Sequence, residues 1–328
     1  MTHGSTDSRN HTENARPLSS IFYQIIHPTN IMKNKNLVPY LKLIFCVVAW
    51  GGSFIATKVA LRELSPVSVV WLRFLIGVII LGAAVYGRKQ LTLPGWKDLG
   101  YFALLGFIGI TFHQWLQSTA LLTSQATTTG WIVATSPIFI ALLGWLFLKE
   151  KLGWLRSGGI ALAALGVLLV VSKGNLLSLA SGHFGSAGDI LILISALNWA
   201  VFSVLSRSGL KRFPAALMMF YVMATGWLFS SLLFFPGHGL GEFAHLTLNA
   251  WLGIGFLGVI CSGIAYVFYY DALQVIPASQ AGVFLYLEPL ITLVVAAIIL
   301  GEPLLVVSLL GGVVILLGVW MVNRTERA

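Results

Sequence analysis

Charged side chains are scarce in this sequence. Asp, Glu, Lys and Arg make up 9% of the 328 residues, whereas hydrophobic residues make up 57%. Soluble globular domains carry about 25% charged residues, and the mean hydropathy of +0.88 is correspondingly high. The composition therefore predicts a membrane protein.

Motifs of enzymes and metal sites are also missing. Cys46 and Cys261 are the two cysteines, and both fall inside apolar runs without CxxC or metal-ligand spacing. No Walker sequence, HExxH or GxSxG occurs. The sequence therefore predicts no catalytic residue, no metal site and no cofactor, and it predicts that both cysteines are core residues.

Apolar runs of about 18 to 25 residues take up most of the chain, and each is long enough to cross a bilayer as a helix. The ten runs cover residues 38–60, 66–86, 98–120, 126–148, 153–172, 188–206, 214–235, 250–270, 278–300 and 303–322. We therefore predict an all-α integral membrane protein with ten transmembrane helices. Residues 1–36 are predicted to be a polar, disordered cytoplasmic tail, and Met32 is a candidate natural start.

Lysines and arginines are distributed unevenly between the predicted loops. With the N-terminus inside, the cytoplasmic side holds nearly all of them, including Arg88, Lys149 and Arg212, whereas the other side holds Arg62 and Lys173. This asymmetry follows the positive-inside rule, so both termini are predicted to be cytoplasmic. The net charge of +9 thus orients the protein in its bilayer and does not indicate nucleic-acid binding.

The second half of the sequence repeats the first. A shift of 152 residues aligns residues 120–139 with residues 272–291 without a gap. The matched pairs are Gly130 and Gly282, Pro137 and Pro289, Glu150 and Glu302, Gly159 and Gly311, and Gly166 and Gly318. Coincidences of Gly, Pro and Glu are rare by chance. We predict one five-helix repeat at 38–172 and a second at 188–322, which an odd helix number inverts in the membrane.

The residues also resemble a known family. WGGSFIATKVALRELSPVSVVWLR (50–73) is similar to the opening of ten-helix EamA-type permeases of the drug/metabolite transporter superfamily, although many members place Asn at the position of Ser53. Both halves also end in the family-like pattern of Pro, Leu-x-Glu and Gly-x6-Gly. The resemblance covers roughly residues 40–322. It implies a 5+5 inverted bundle that moves small metabolites, such as amino acids, across the bacterial inner membrane, usually outward.

One carboxylate, Glu288, lies near the middle of the ninth predicted helix, next to Pro289. A charged carboxylate at that depth costs at least about 2.5 kcal/mol unless it is paired, protonated or hydrated. It either lines a cavity or is a protonated group hydrogen-bonded within the bundle. Pro289 and its repeat partner Pro137 each remove a backbone hydrogen bond, which predicts a kink and a hinge in both helices.

Other polar groups lie on neighbouring helices. Arg73 is a candidate for binding a substrate carboxylate, although a structural role is favoured for it. His113 and Gln117 share a face of the third helix, where they either tie helices together or line a water-filled path. The aromatic and neutral candidates for lining a cavity are Trp50, Ser53, Trp131, Thr135, Asn198, Trp199, Tyr266 and Tyr286. Core packing is the alternative for each aromatic residue.

The leading functional hypothesis is a secondary transporter of amino-acid-like or amphipathic metabolites. Glu288 and His113 are the first candidates for proton coupling. The alternatives are a membrane-embedded enzyme or lipid-handling protein, which would need a clustered catalytic constellation, and a receptor, for which inverted repeats have no evident purpose. Monomer and dimer are both compatible with the sequence.

Overall fold

The structure is a computed structural model, and it describes residues 37–148, 153–175, 185–237, 239–276, 281–282 and 284–323. The predicted tail, the Met32 start and Glu150 lie outside these residues. The described part of the chain forms helices and turns and contains no strand. Together with nine helices long enough to span a bilayer and one shorter apolar helix, this confirms the all-α membrane fold.

The helices follow the predicted order, with boundaries that differ by a few residues. The first five are α1 (Val38–Ala60), α2 (Pro66–Gly87), α3 (Trp96–Ala120), α4 (Ala126–Val133 and Ser136–Leu148) and α5 (Trp154–Ser172). The second five are α6 (Ala187–Leu210), α7 (Ala215–Gly237), α8 (Leu248–Leu273), α9 (Leu285–Leu300) and α10 (Val306–Asn323). We call the bundle end that holds Leu37 the inner end and the opposite end the outer end.

Hydroxyl side chains fix where several helices begin. Ser65 accepts a hydrogen bond from the backbone N–H of Ser68 at the start of α2. Ser186 and Asp189 form a reciprocal capping box at the start of α6. Thr247 caps α8 through its side chain. Each cap supplies an acceptor to an N–H group that has no partner within its helix, so these outer-end starts are defined by local sequence.

The two repeats meet along α5 and α10. A Cβ atom added to Gly159 would lie 2.6 Å from the carbonyl oxygen of Gly318, and one added to Gly166 would lie 2.7 Å from that of Gly311. The shift of 152 residues turns Gly159 into Gly311 and Gly166 into Gly318, so each contact is the repeat equivalent of the other. The two helices therefore cross antiparallel about a pseudo-two-fold axis. Small residues allow this close backbone approach, which drives helix association in membranes.

Both repeats also break their helices at corresponding places. Helix α3 is π-helical over Phe107–Phe112 and α8 over Phe256–Ile264. Helix α4 resumes at Ser136 after a turn, and α9 changes from a 3-10 turn to α-helix at Glu288, the repeat partner of Ser136. Pro137 follows Ser136 and Pro289 follows Glu288, and both prolines were predicted to kink their helices. The breaks therefore coincide with the prolines, as the missing N–H of proline requires.

The α5–α10 contact gives a stability prediction with a matched control. Gly159→Ala should lower the unfolding free energy by about 1–3 kcal/mol, because the added methyl group has no room against α10. Gly158→Ala should be neutral or slightly stabilising, since a Cβ there would meet only Met321 at 3.5 Å and Ala favours helix. Thermal unfolding midpoints in one detergent compare the two variants. Equal midpoints would contradict the close contact.

Candidate functional site

Arg73 of α2 connects three helices deep in the bundle. Its Nε donates to Oγ of Ser262 in α8 at 3.1 Å, and its Nη1 donates to Oε1 of Gln114 in α3 at 3.1 Å. The side chain is 6% exposed. Within the described residues no carboxylate lies at ion-pair distance from it. These contacts hold Arg73 between α2, α3 and α8, and no negative partner for its guanidinium lies among the described residues.

An aromatic wall forms where α1 faces α8. The indole Nε1 of Trp50 donates to the carbonyl oxygen of Cys261 at 3.1 Å, within the π-helical segment of α8. The Trp50 ring lies 5.6 Å from the ring of Tyr266 and 5.2 Å from that of Tyr269. The π-helical turn changes which side chains of α8 face α1, as such turns often do at functional sites. Cys46 and Cys261 are both fully buried, as predicted.

Glu288 stands at the break in α9. Helix α1 approaches it closely at Gly51, where a Cβ would lie 2.9 Å from the carbonyl oxygen of Glu288, and Thr292 donates to the carbonyl of Gly51 at 2.8 Å. The carboxylate has no hydrogen bond or ion pair among the described residues. The residue is half-buried. A half-buried carboxylate therefore lies at the helix break without a partner among the described residues.

The side chains of α3 and α6 form a second polar group. Nδ1 of His113 is 3.0 Å from Oγ of Ser195, and the imidazole lies 4.9 Å from the ring of Trp199. Asn198 donates to the carbonyl of Ile108 at 2.8 Å, within the π-helical segment of α3. His113 is thus held by a hydroxyl group and an aromatic face. Among the described residues these contacts tie α3 to α6.

Four predicted candidates lie apart from these two groups or bind their own backbone. Trp131 is 1% exposed, and its indole packs directly against Gly312 of α10. Tyr286 accepts a hydrogen bond from Asn323 near the inner end of α10. Thr135 and Ser53 donate to carbonyl groups three residues earlier, each at 2.6 Å. None of these four side chains hydrogen-bonds to the carboxylate of Glu288 among the described residues.

Sequence reasoning missed some partners in these groups. Ser262 and Ser195 are small residues in apolar helices and carry no pattern of their own. Tyr269 could have been found, because the repeat shift pairs it with Gln117 of α3, just as it pairs Tyr266 with Gln114. The two repeats thus place polar or phenolic side chains at the same positions of α3 and α8.

Comparison with known proteins identifies the family. A model of the EamA-like transporter family matches residues 37–172 and again residues 186–324. The chain belongs to the EamA-like transporter family. It is a multi-pass membrane transporter and not an enzyme, and the resemblance seen in the sequence is confirmed.

Relatives of this family member cover nearly its whole length. An uncharacterized transporter of Archaeoglobus fulgidus is 30% identical over 89% of this chain and 99% of its own. A probable terminal-alkyne amino-acid exporter of Streptantibioticus cattleyicolor is 28% identical over 86% of this chain and 92% of its own. One crystal structure matches with a TM-score of 0.60 at 20% identity, covering 86% of this chain and 95% of that chain, which shows the shared fold.

Proposed function

We propose that the chain is a secondary transporter that carries amino-acid-like or amphipathic metabolites across the bacterial inner membrane by alternating access, in the direction of export. The observation that carries this proposal is the half-buried carboxylate of Glu288, which has no hydrogen-bond or ion-pair partner among the described residues. It lies at a helix break in the centre of the bundle, between helices of both repeats. Transporters with inverted repeats bind their substrates at such breaks near the bilayer midplane.

The repeat organisation supports alternating access. We propose two five-helix repeats at 38–172 and 188–322, preceded by a polar tail at 1–36, and the family model matches two stretches with nearly these boundaries. The antiparallel α5–α10 contact is the arrangement that inverted copies produce. Because the copies share one fold, they can exchange conformations about a fixed central site. Pro137 and Pro289 are the proposed hinges, since both helix breaks adjoin them.

The orientation follows from charge. We place both termini and the inner end of the bundle in the cytoplasm, because that end carries the excess of Lys and Arg. Support for an amino-acid-like solute comes from the relative named as an exporter of a terminal-alkyne amino acid. Proton coupling is proposed for Glu288 first and His113 second, since a carboxyl group or an imidazole can exchange a proton at the transport site.

Glu288→Gln tests this role. Transport in proteoliposomes should fall about tenfold or lose its dependence on a pH gradient, because the amide keeps the shape but cannot carry charge or exchange a proton. Initial rates of labelled amino-acid flux, with and without the gradient, measure the effect. Asp98→Asn, a partly exposed carboxylate paired with Arg212 at the inner end, is the control and should leave the rates unchanged. Wild-type rates in Glu288→Gln at every pH would reject the role.

A further inference from the structure

Two ionisable groups of opposite charge, Arg73 and Glu288, have no ion-pair partner among the described residues. Among the described residues, Arg73 is bound through the neutral groups of Gln114 and Ser262, and its Nη2 has no hydrogen-bond partner. The carboxylate of Glu288 has no hydrogen-bond partner in the part of the chain that the structure describes. The two groups do not pair with each other, but both lie beside the contact of α1 with α8. Arg73 donates to Ser262, the residue after the carbonyl that accepts from Trp50. The next residue of α1, Gly51, approaches the backbone of Glu288. The interior therefore carries a separated positive and negative pole.

Each unmatched charge is costly at this depth, and a ligand with the opposite charges would offset both costs together. We propose that the site binds a zwitterion, with the carboxylate of the substrate at Arg73 and its ammonium group at Glu288. The planar guanidinium suits a carboxylate. This proposal rests on the proposed transport function and assigns that function its substrate class and the orientation of the substrate.

The wall beside Glu288 suits an ammonium group and an apolar side chain. Trp50, Tyr266 and Tyr269 form a contiguous set of rings, and aromatic faces attract cations. The hydroxyl groups of Tyr266, Tyr269 and Tyr270 have no partners among the described residues, and all three residues are half-buried. These groups can donate or accept hydrogen bonds without first breaking one within the protein. An aromatic or long aliphatic amino acid fits this lining.

The repeat comparison explains why the substrate would bind in one direction only. The first-repeat partners of Glu288, Tyr266 and Tyr269 are Ser136, Gln114 and Gln117. The two halves of the site thus have related backbones, but only the second half carries the acid and the phenolic rings. A symmetric site would accept the zwitterion in two orientations, whereas this one distinguishes its two ends.

Three ligands that share a benzene ring separate the two charges. Phenylalanine has both, phenethylamine lacks the carboxylate, and 3-phenylpropionate lacks the ammonium group. Isothermal titration of the purified chain should show phenylalanine binding about tenfold tighter than either analogue, because each analogue leaves one interior charge unpaired. Glu288→Gln should remove the preference over 3-phenylpropionate and keep the preference over phenethylamine. Arg73→Lys should weaken the preference over phenethylamine.

The titration and the flux assay together distinguish failure of the zwitterion proposal from failure of the transport function. Equal wild-type affinity for phenylalanine and phenethylamine, or unchanged preferences in Glu288→Gln, would overturn the proposal. Should Arg73→Lys fail to fold, Glu288→Gln still tests whether the ammonium group binds at Glu288. The wild-type preference for phenylalanine over phenethylamine then tests whether the protein recognises the carboxylate. If none of the three binds but proteoliposomes carry a solute that lacks a carboxylate or an ammonium group, the zwitterion proposal fails and the transport function stands. If proteoliposomes carry no solute, the transport function itself fails.

A second, independent observation concerns the two lysines of α1. Lys42 and Lys58 are 16 residues apart, about 24 Å along a helix. At the inner end, Nζ of Lys42 is 2.6 Å from Asp271 of α8, which also pairs with Arg88 of α2 at 2.5 Å. At the outer end, Nζ of Lys58 is 3.6 Å from Glu302, between α9 and α10.

The outer ion pair is embedded in a larger network. Lys58 also donates to the carbonyl of Ser124 at 2.7 Å. Glu302 accepts from the backbone N–H groups of Ala126 and Thr127, at 2.8 and 3.0 Å, and so caps α4. A cavity of about 490 Å³ opens beside this network at the outer end. The network thus joins the ends of α1, α4 and α9 at the rim of an opening.

Both ion pairs cross from the first repeat to the second, because Lys42, Lys58 and Arg88 belong to the first and Asp271 and Glu302 to the second. We infer that the two pairs are opposing latches: the inner pair opens in the inward-facing state and the outer pair opens in the outward-facing state. Relative movement of the repeats must separate one pair at a time. This inference rests on the proposed alternating access.

A single cysteine at position 53 of α1 reports which side of the membrane the central site opens to. The Ser53→Cys variant is made in a chain whose buried Cys46 and Cys261 are replaced by Ser. Because Glu302 itself is unchanged in Lys58→Met, it can still cap α4 in this variant. Lys58→Met should raise the labelling of the cysteine by a membrane-impermeant maleimide severalfold from the outer side and lower it from the inner side. Asp271→Asn should do the opposite. Lys97→Gln, a lysine with no ion pair among the described residues, should change neither.

Shifts in the same direction for Lys58→Met and Asp271→Asn, or no shift in folded protein, would overturn the latch assignment. Labelling of the wild-type chain from both sides at full rate at once would describe an open channel. That result would reject the proposed transport cycle rather than the latches alone. Size-exclusion profiles and thermal midpoints establish that each variant is folded before labelling.

Discussion

Lipid offers no hydrogen bonds to a peptide group, so every departure from regular helix in this protein needs a partner inside the protein. The π-helical segments and the break in α4 show how that need is met. Asn198 donates to the carbonyl of Ile108, Trp50 to that of Cys261, and Ser136 to that of Val133, the carbonyl that Pro137 leaves without a helical donor. Irregular backbone therefore lies in the protein interior, where it brings polar side chains together.

The inverted repeat supplies the frame for this arrangement. Glycines on α5 and α10 bring the two copies together antiparallel, and the breaks in α4 and α9 fall at equivalent positions. The chemistry of the copies has diverged while the backbone has kept its symmetry. Glu288 stands where the first copy has Ser136, and phenolic rings stand where the first copy has Gln114 and Gln117. A shared geometry with unequal side chains is what a directional binding site requires.

The sequence predicted the ten helices, since apolar length is a strong signal. Helix ends differ from the predicted ones by a few residues in most helices, for example by four at the end of α6. It also predicted the helix breaks through Pro137 and Pro289. It could not predict the π-helical turns, because no residue type specifies them, nor that Trp131 packs against Gly312 and Tyr286 binds Asn323. Those contacts depend on which helix faces which, and apolar periodicity does not encode helix neighbours.

Water access to the carboxylate of Glu288 is the central claim, and one labelling experiment tests it directly. Glu288→Cys is prepared with Cys46 and Cys261 replaced by Ser, and Phe74→Cys, a fully buried position on α2, serves as the unreactive reference. The account predicts that a small water-soluble thiol reagent modifies position 288, that a transported solute slows this reaction, and that position 74 stays unmodified. An unreactive cysteine at 288 in folded protein would contradict the account.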